Sequence, residues 1–340
     1  MAKKVNIKTI ASALGVSPST VSKALGDSHE ISTDTRERIK AYAKLHNYRP
    51  NSLATSLRSQ KTNVIGIIIP EIVHHFFSRI LSGIENVAYE HNYNLMICLS
   101  KDNLEKEIQN IEMLTNGSVD GLLVSVAKET LEKSDNTHFN QLIEEGFPIV
   151  FLDRVPNNLE IDKVIIDDVA GGYKAAKHLI EKGNKKIAII TTPSHVNVGV
   201  DREKGFYKAL KEFKLPIIKS FDIKVDEKNK NPIEPQIEAL FNQEELPDGI
   251  FAVNENYAAI ALKIAQRKGL RVPEDIGIIG FTDGLISKTT NPTLSTIAQH
   301  GYTMGAQATE ILLERISNKN RNAVYKTNVV STNVIEREST

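Results

Sequence analysis

Phe76-Phe77, Asp102, Asp153-Arg154, Arg202, Asn254 and Thr282-Asp283 each follow a short apolar run. Aromatic faces stack on sugar rings or bases, while Asp, Asn and Arg read hydroxyls in pairs. Together these types describe a binding cleft for a small polar ligand. A different set lies near the start, where Pro18, Ser19, Thr20, Ser22 and Lys23 form the polar side of one short helical segment, the kind of face that meets base edges. Catalytic constellations are missing: there is no Gly-x-Ser-x-Gly, no P-loop, no His-Glu-x-x-His and no Cys-x-x-Cys. Gly277-Ile-Ile-Gly280 has the wrong spacing for a nucleotide loop, and His74-His75 are adjacent side chains that do not converge on one ion. Asp167-Asp168 reads as a solvated turn rather than an acid/base pair, and the bland alternative for Arg202 is a surface salt bridge to Asp201 or Glu203. The expectation is a binding protein that is not an enzyme, with no cofactor and no metal.

The elements that must position these groups are many, because the chain has 340 residues, enough for two or three domains. With 41% hydrophobic and 25% charged residues it has the composition of a globular protein, which excludes wholesale disorder. A single cysteine, Cys98, cannot form an intrachain disulfide, and its run Leu95–Leu99 reads as a buried strand. No apolar stretch approaches the roughly 18 residues of a membrane span, and no signal peptide is evident, so a cytoplasmic protein without membrane association is expected. Net charge is zero, yet it is unevenly placed. Residues 1–61 carry eleven Lys/Arg against four acids, a net +7, and the remainder carries −7. A basic head on an acidic body is the electrostatic footprint of a polyanion-binding module.

The head reads as three short helices. Ile7, Ile10, Ala11 and Leu14 recur at helical spacing until Gly15; Ser17-Pro18 then opens a second helix whose buried stripe is Val21, Ala24 and Leu25. A third starts at Ser32 or Thr33 and carries Ile39, Ala43 and Leu45 toward the same small core. Helix, glycine-containing turn and second helix with a polar face is the helix-turn-helix pattern of DNA recognition, here assigned to residues 1–48. Residues 49–62 form a hinge and linker: the run opened by Pro50 can make about two helical turns but is too short to stand alone in water.

From Val64 the rhythm becomes α/β: apolar runs alternate with amphipathic stretches, and Val64–Ile69 before Pro70 resembles Ile187–Thr192 before Pro193. This predicts two similar, doubly wound lobes in residues 63–340, one from about 63–160 and 296–324, the other from about 161–292 and 325–340, with a last strand over Lys326–Ile335. A ligand would lie in the crevice at the strands' C-terminal ends.

The run Val5-Asn-Ile-Lys-Thr-Ile-Ala-Ser-Ala-Leu-Gly-Val-Ser-Pro-Ser-Thr-Val-Ser-Lys-Ala-Leu25 closely resembles the DNA-reading head of the LacI/GalR bacterial transcriptional regulators. The likeness continues through Asn47-Tyr-Arg-Pro-Asn51, Ala54-x-x-Leu57, Ile65-Gly66, Val119-Asp-Gly-Leu122, Phe151-Leu-Asp-Arg154, Gly171-Gly172, His178-Leu179, Val272-Pro-Glu-Asp275 and Ile279-Gly-Phe281, essentially the whole chain. It implies a periplasmic-binding-protein-like effector domain, a homodimer, a palindromic double-stranded operator, a hinge whose Asn51, Ala54, Leu57 and Arg58 meet the minor groove with Leu57 as a wedge between base steps, and a repressor controlled by a small molecule such as a sugar or sugar derivative. Phe77, Asp153, Arg202 and Asn254 fall where that family touches its effector. Two positions depart from it: Thr282 stands where sugar- and purine-binding members carry Asp, and Lys23 replaces the more usual Arg, which reduces guanine readout from a fork to one donor. A receptor feeding a transporter is the rival reading, but it would need a signal peptide and no basic head.

Overall fold

A computed structural model of the chain describes residues 5–48, 61–156, 159–193, 197–226, 232–318 and 324–340. The hinge positions Asn51, Ala54, Leu57 and Arg58 therefore lie outside the described residues. Two compact units divide the chain, Met1–Thr62 and Asn63–Thr340.

In the first unit, α1 (Ile7–Leu14), α2 (Pro18–Leu25) and α3 (Thr33–Leu45) form where the capping residues place them. Asn6, Ser17 and Ser32 each accept a backbone N–H from the first turn of the helix that follows. Gly15 ends α1 at φ +68°, a conformation that suits glycine, and its N–H returns to Ala11 O. Ile10, Ala11, Val21, Ala24, Ile39 and Ala43 fill the core. Leu45 does not join it and is 76% exposed, because two residues past Ala43 it has turned about 200° round the helix. Tyr42 and Tyr48 pack there instead.

The second unit contains two six-stranded sheets. The first has the order β11-β5-β4-β3-β1-β2, built from β1 (Val64–Ile69), β2 (Asn94–Leu99), β3 (Gly121–Val124), β4 (Ile149–Leu152), β5 (Lys163–Ile166) and β11 (Thr327–Val330), all parallel. The second has the order β12-β10-β9-β8-β6-β7, from β6 (Ile187–Thr191), β7 (Asp222–Lys224), β8 (Gly249–Ala252), β9 (Gly277–Phe281), β10 (Ser295–Ala298) and β12 (Asn333–Ile335), with only β12 antiparallel. Each sheet repeats the same winding, second strand beside first beside third, which leaves a switch point between first and third strands where ligands bind in such folds.

Pairing redraws the expected lobe boundaries. β5 belongs to the first sheet and β10 to the second, and the single strand expected over Lys326–Ile335 is two strands that join different sheets. An apolar run reports that a strand exists, but only its hydrogen bonds say which sheet holds it. β2 also differs from the expectation of a buried strand. It is the sheet edge, with Met96 and Ile97 38% and 42% exposed and Cys98 half-buried.

Both lobes use the same helix crossing. In the first, α4 (His75–Glu90) lies on α13 (Gly301–Ser317) so closely that a Cβ on Gly83 would stand 2.0 Å from Tyr302 O. In the second, α8 (Asp168–Glu181) lies on α9 (Asn197–Glu212), and a Cβ on Gly172 would stand 2.0 Å from Arg202 O. Glycine is what allows the backbones to meet.

Candidate functional site

On the head, α2 buries Val21 and Ala24 and turns its first residues outward. Pro18 at the first helical position needs no N–H partner, and the Ser17 hydroxyl gathers the Thr20 N–H at 3.0 Å and the Ser19 and Thr20 hydroxyls at 2.7 and 2.8 Å. Pro18 and Ser19 are exposed; Thr20, Ser22 and Lys23 are partly so. Lys23 closes an ion pair with Glu30, which the ammonium holds below the usual carboxylate range. A polar face with one basic side chain at its end thus stands on a fixed three-helix core.

In the second unit, residues that follow eight strands converge on one cavity of about 180 Å³. The first lobe supplies Phe76 and Phe77 after β1, Asp102 after β2, and Asp153 and Arg154 after β4. The second supplies Arg202 after β6, Asn254 after β8 and Thr282 after β9. The volume suits a ligand of one small ring rather than a drug-sized molecule. The Phe76 and Phe77 rings lie 5.5 Å apart and give it an apolar wall.

The charged groups are held by one another. Arg154 donates to Asp102 at 2.6 Å, and the Lys128 N–H reaches the same carboxylate at 3.1 Å. Burial pushes Asp102 upward, but Arg154 and Lys128 outweigh it and hold the carboxyl below its ordinary range. Asp153 goes the other way: burial raises it despite nearby Arg154 and Arg202. Arg202 donates through Nε to Asp168 at 2.7 Å and through Nη1 to Val253 O at 2.7 Å, and its guanidinium lies over the buried Phe281 ring. Its partner is therefore neither Asp201 nor Glu203. Nor is Asp167-Asp168 a solvated turn, since Asp167 caps α8 and Asp168 is buried against Arg202, where loss of water pushes its carboxyl up to about 6. Asp102, Asp153 and Thr282 all adopt positive φ, at +58°, +60° and +85°. That is costly for a β-branched residue, and it persists at Thr282 because its N–H is fixed to Ile297 O and its hydroxyl to Gln299.

Asp283 is the exception among the expected residues. Arg337 and Lys288 take its carboxylate, and it lines a neighbouring cavity of about 520 Å³ instead of the cleft. Arg337 lies 54 residues away, so nothing near Asp283 in sequence announced it. Sequence reasoning missed Glu71, His74, Lys128, Thr192, Glu255, Asn256 and Gln299 in the cleft. Thr192 and Gln299 obey the same position-after-strand rule, but β10 reads Ser-Thr-Ile-Ala and carries too little apolar signal to be recognised as a strand.

Two family models match this chain: bacterial regulatory proteins of the lacI family over residues 6–51, and a periplasmic binding protein-like domain over 176–340. A PurR transcriptional repressor of Haemophilus influenzae strain PittEE is 37% identical over 320 residues, spanning 92% of this chain and 91% of the relative. The chain belongs to the LacI family. It is a DNA-binding transcriptional regulator with a helix-turn-helix head and a periplasmic-binding-protein-like body. Among further LacI-family relatives, a ribose operon repressor of H. influenzae strain Rd is 31% identical, with 98% of each chain covered. The lac repressor dimer bound to operator and an anti-inducer matches at TM-score 0.86 and 23% identity over 99% of each chain, a likeness of fold. A LacI-family regulator from Enterococcus faecium with bound ribose matches at TM-score 0.69 and 26% identity over 82% of this chain and 98% of the other.

Proposed function

We propose that this protein is an operator-binding repressor whose affinity for a palindromic DNA site is set by a small hydroxylated ligand, a sugar or sugar derivative, bound between the two lobes. The observation that carries this reading is the cavity on which eight strands from both sheets end, walled by Phe76 and Phe77 and edged by Asp102, Asp153, Arg154, Arg202, Asn254 and Thr282. A ligand touching both lobes shifts their relative closure by its differential affinity for the two arrangements. Within the site, Arg202 and Asp153 read hydroxyls, and Asn254 offers the side-chain amide whose oxygen already caps α11 (Glu255–Arg267). Thr192 supports a polar ligand too, since its buried hydroxyl has no protein partner among the described residues.

On the head, Pro18, Ser19, Thr20, Ser22 and Lys23 face the major groove. The body pairs with a second copy through the β2 edge, where Met96 and Ile97 stand exposed and the two helices packed on that strand expose Tyr89 on α4 and Met113 on α5 (Leu104–Thr115), apolar groups that would otherwise invite aggregation. Among the described residues no helix is long and apolar enough to cross a membrane, and a repressor of this kind works in the cytoplasm. Its work is binding, with no catalytic step. Ribose and a panel of other sugars titrated against the protein on palindromes from its own promoter region, with anisotropy as the readout, test the reading. A ligand-dependent change in operator affinity supports it; specific operator binding that no ligand alters, in a protein that also binds none of the panel, overturns it.

A further inference from the structure

The cleft and the cavity beside it differ in charge. In the cleft each cation already has a protein partner: Arg154 and Lys128 on Asp102, Arg202 on Asp168. The 520 Å³ cavity is lined by Arg79, Lys288, His75 and His300 with Asp283 as its single carboxylate, and Arg337 shares that carboxylate with Lys288. It also meets the first residues of α13, a helix of 17 residues whose N-terminus has no side-chain cap. Positive side chains beside an uncapped helix start favour an anion.

The two spaces share a wall of Phe76, Thr282 and Gln299. Gln299 is only 4% exposed, and its side-chain oxygen accepts from the Thr282 hydroxyl. Its amide nitrogen has no acceptor among the described residues. Gln299 lines both spaces, so this amide is available to donate to a molecule bound there.

We propose that the ligand of the cleft is an anionic sugar derivative: its ring lies between the lobes, its carboxylate or phosphate sits in the second cavity against Arg79 and Lys288, and Gln299 donates to the oxygen that bridges the two spaces. This rests on the reading of the cleft as the regulatory site. A neutral sugar could accept from the Gln299 amide but would leave the cationic cavity without a role. Free phosphate would fill the cavity yet leave the aromatic wall of the cleft empty.

Calorimetry on the full-length protein tests it with matched sets: glucose, glucose 6-phosphate and glucuronate; galactose, galactose 6-phosphate and galacturonate; ribose and ribose 5-phosphate; and inorganic phosphate alone. The expected result is a phosphate or a uronate that binds at least about ten-fold tighter than its neutral parent, the tighter arm naming the anion. The Arg79→Ala/Lys288→Ala double variant should erase that advantage and change the neutral parent's binding less than about two-fold. Equal binding of anion and parent, or an advantage that survives the double variant, overturns the proposal. So does inorganic phosphate binding as tightly as any sugar phosphate. If no sugar of either kind binds, the cleft reading itself fails, and the operator titration described above reports that separately.

Discussion

The Arg202 guanidinium carbon lies 3.7 Å from the centre of the Phe281 ring while its Nε donates to Asp168 at 2.7 Å. α9 supplies the arginine, β9 the ring and α8 the carboxylate, so three elements of one lobe fix a single side chain at the cleft. Fixing it in advance spares the ligand the entropy of ordering a long side chain. Because the ion pair is buried, truncating one partner leaves the other charge uncompensated. Arg202→Ala should destabilise the protein by about 3 kcal/mol, and Asp168→Asn combined with it should recover part of that loss. Urea unfolding of the single and double variants measures the coupling, and additive losses would mean that the two groups stand independently. Phe281→Leu keeps the site apolar, leaves a small void in the core and removes the cation–π contact, so beyond a packing cost of about 1 kcal/mol it should weaken ligand binding through Arg202.

Asp168 also gives the lobe a pH signature. Its carboxyl is pushed up to about 6 in the folded protein, chiefly by burial, against 3.8 for the free group. Between about pH 4 and 6 the native state therefore holds a proton that the unfolded state has released, so this group's contribution to stability falls as pH rises through that window. Asp168→Asn cannot titrate. Unfolding curves at several pH values should show a flatter profile for the variant between pH 4 and 6, and superimposable profiles would remove Asp168 as the source.

Gly172→Ala should disturb the cleft from behind. The added Cβ meets Arg202 O at 2.0 Å, a backbone atom that cannot swing aside, so α8 and α9 must separate and carry Arg202 with them. A cost of about 1–3 kcal/mol is expected from such overpacking. Gly83→Ala makes the same kind of clash in the other lobe, against Tyr302 O. Thermal melts should place the two variants at similar losses, with the ligand's affinity falling further in Gly172→Ala because only that crossing bears Arg202.

Much of this arrangement is legible in the sequence, and the parts that are not share a physical cause. Asn6, Ser17-Pro18, Gly15 and Ser32 act on their immediate neighbours, so the head's helices could be read locally. The buried strands β1, β3, β4, β6, β8 and β9 are continuous apolar runs, and the residues expected beyond five of them reach the cleft. What failed depends on partners distant in sequence. Ser295 and Thr296 are fully buried because Thr340 and Arg337 satisfy their hydroxyls while the Ser339 hydroxyl accepts the Ser295 N–H, so β10 looks polar. Asp283 was lost to Arg337, 54 residues away, and Asp168 gained Arg202, 34 residues away. Local chemistry predicts an element; long-range pairing decides what a charged side chain does.

The β2 edge sets the dimer prediction. Met96 and Ile97 are exposed on the last strand of the first sheet, and in the proposed dimer a two-fold axis brings the same patch of each copy together. Ile97→Lys places two buried charges at that seam in the dimer and only one solvated charge in the monomer. Sedimentation at micromolar concentration should move the variant from dimer to monomer, with operator binding weakened in step. A variant that sediments as the parent does would shift the interface elsewhere.

The recognition helix supplies the last prediction. Lys23 pairs with Glu30 in the free protein through side chains that are both about half exposed, and a pair of that kind is readily exchanged for another acceptor. On DNA the ammonium can turn to guanine O6 or N7 as one donor, while Ser19, exposed on the first turn, meets a neighbouring base edge. Substituting either should change which operator is preferred by about 1–3 kcal/mol per lost base contact. Lys44→Ala, on exposed α3 surface, should weaken binding to all sequences alike and lower the salt slope by about one. Glu30→Gln removes a negative charge near the phosphates and releases Lys23, so it should tighten binding to every duplex without changing the preferred sequence. Binding-site selection with each variant, followed by salt titration on the selected site, separates these outcomes. If Ser19→Ala and Lys23→Ala both return the parent operator, bases are read by another face of the head.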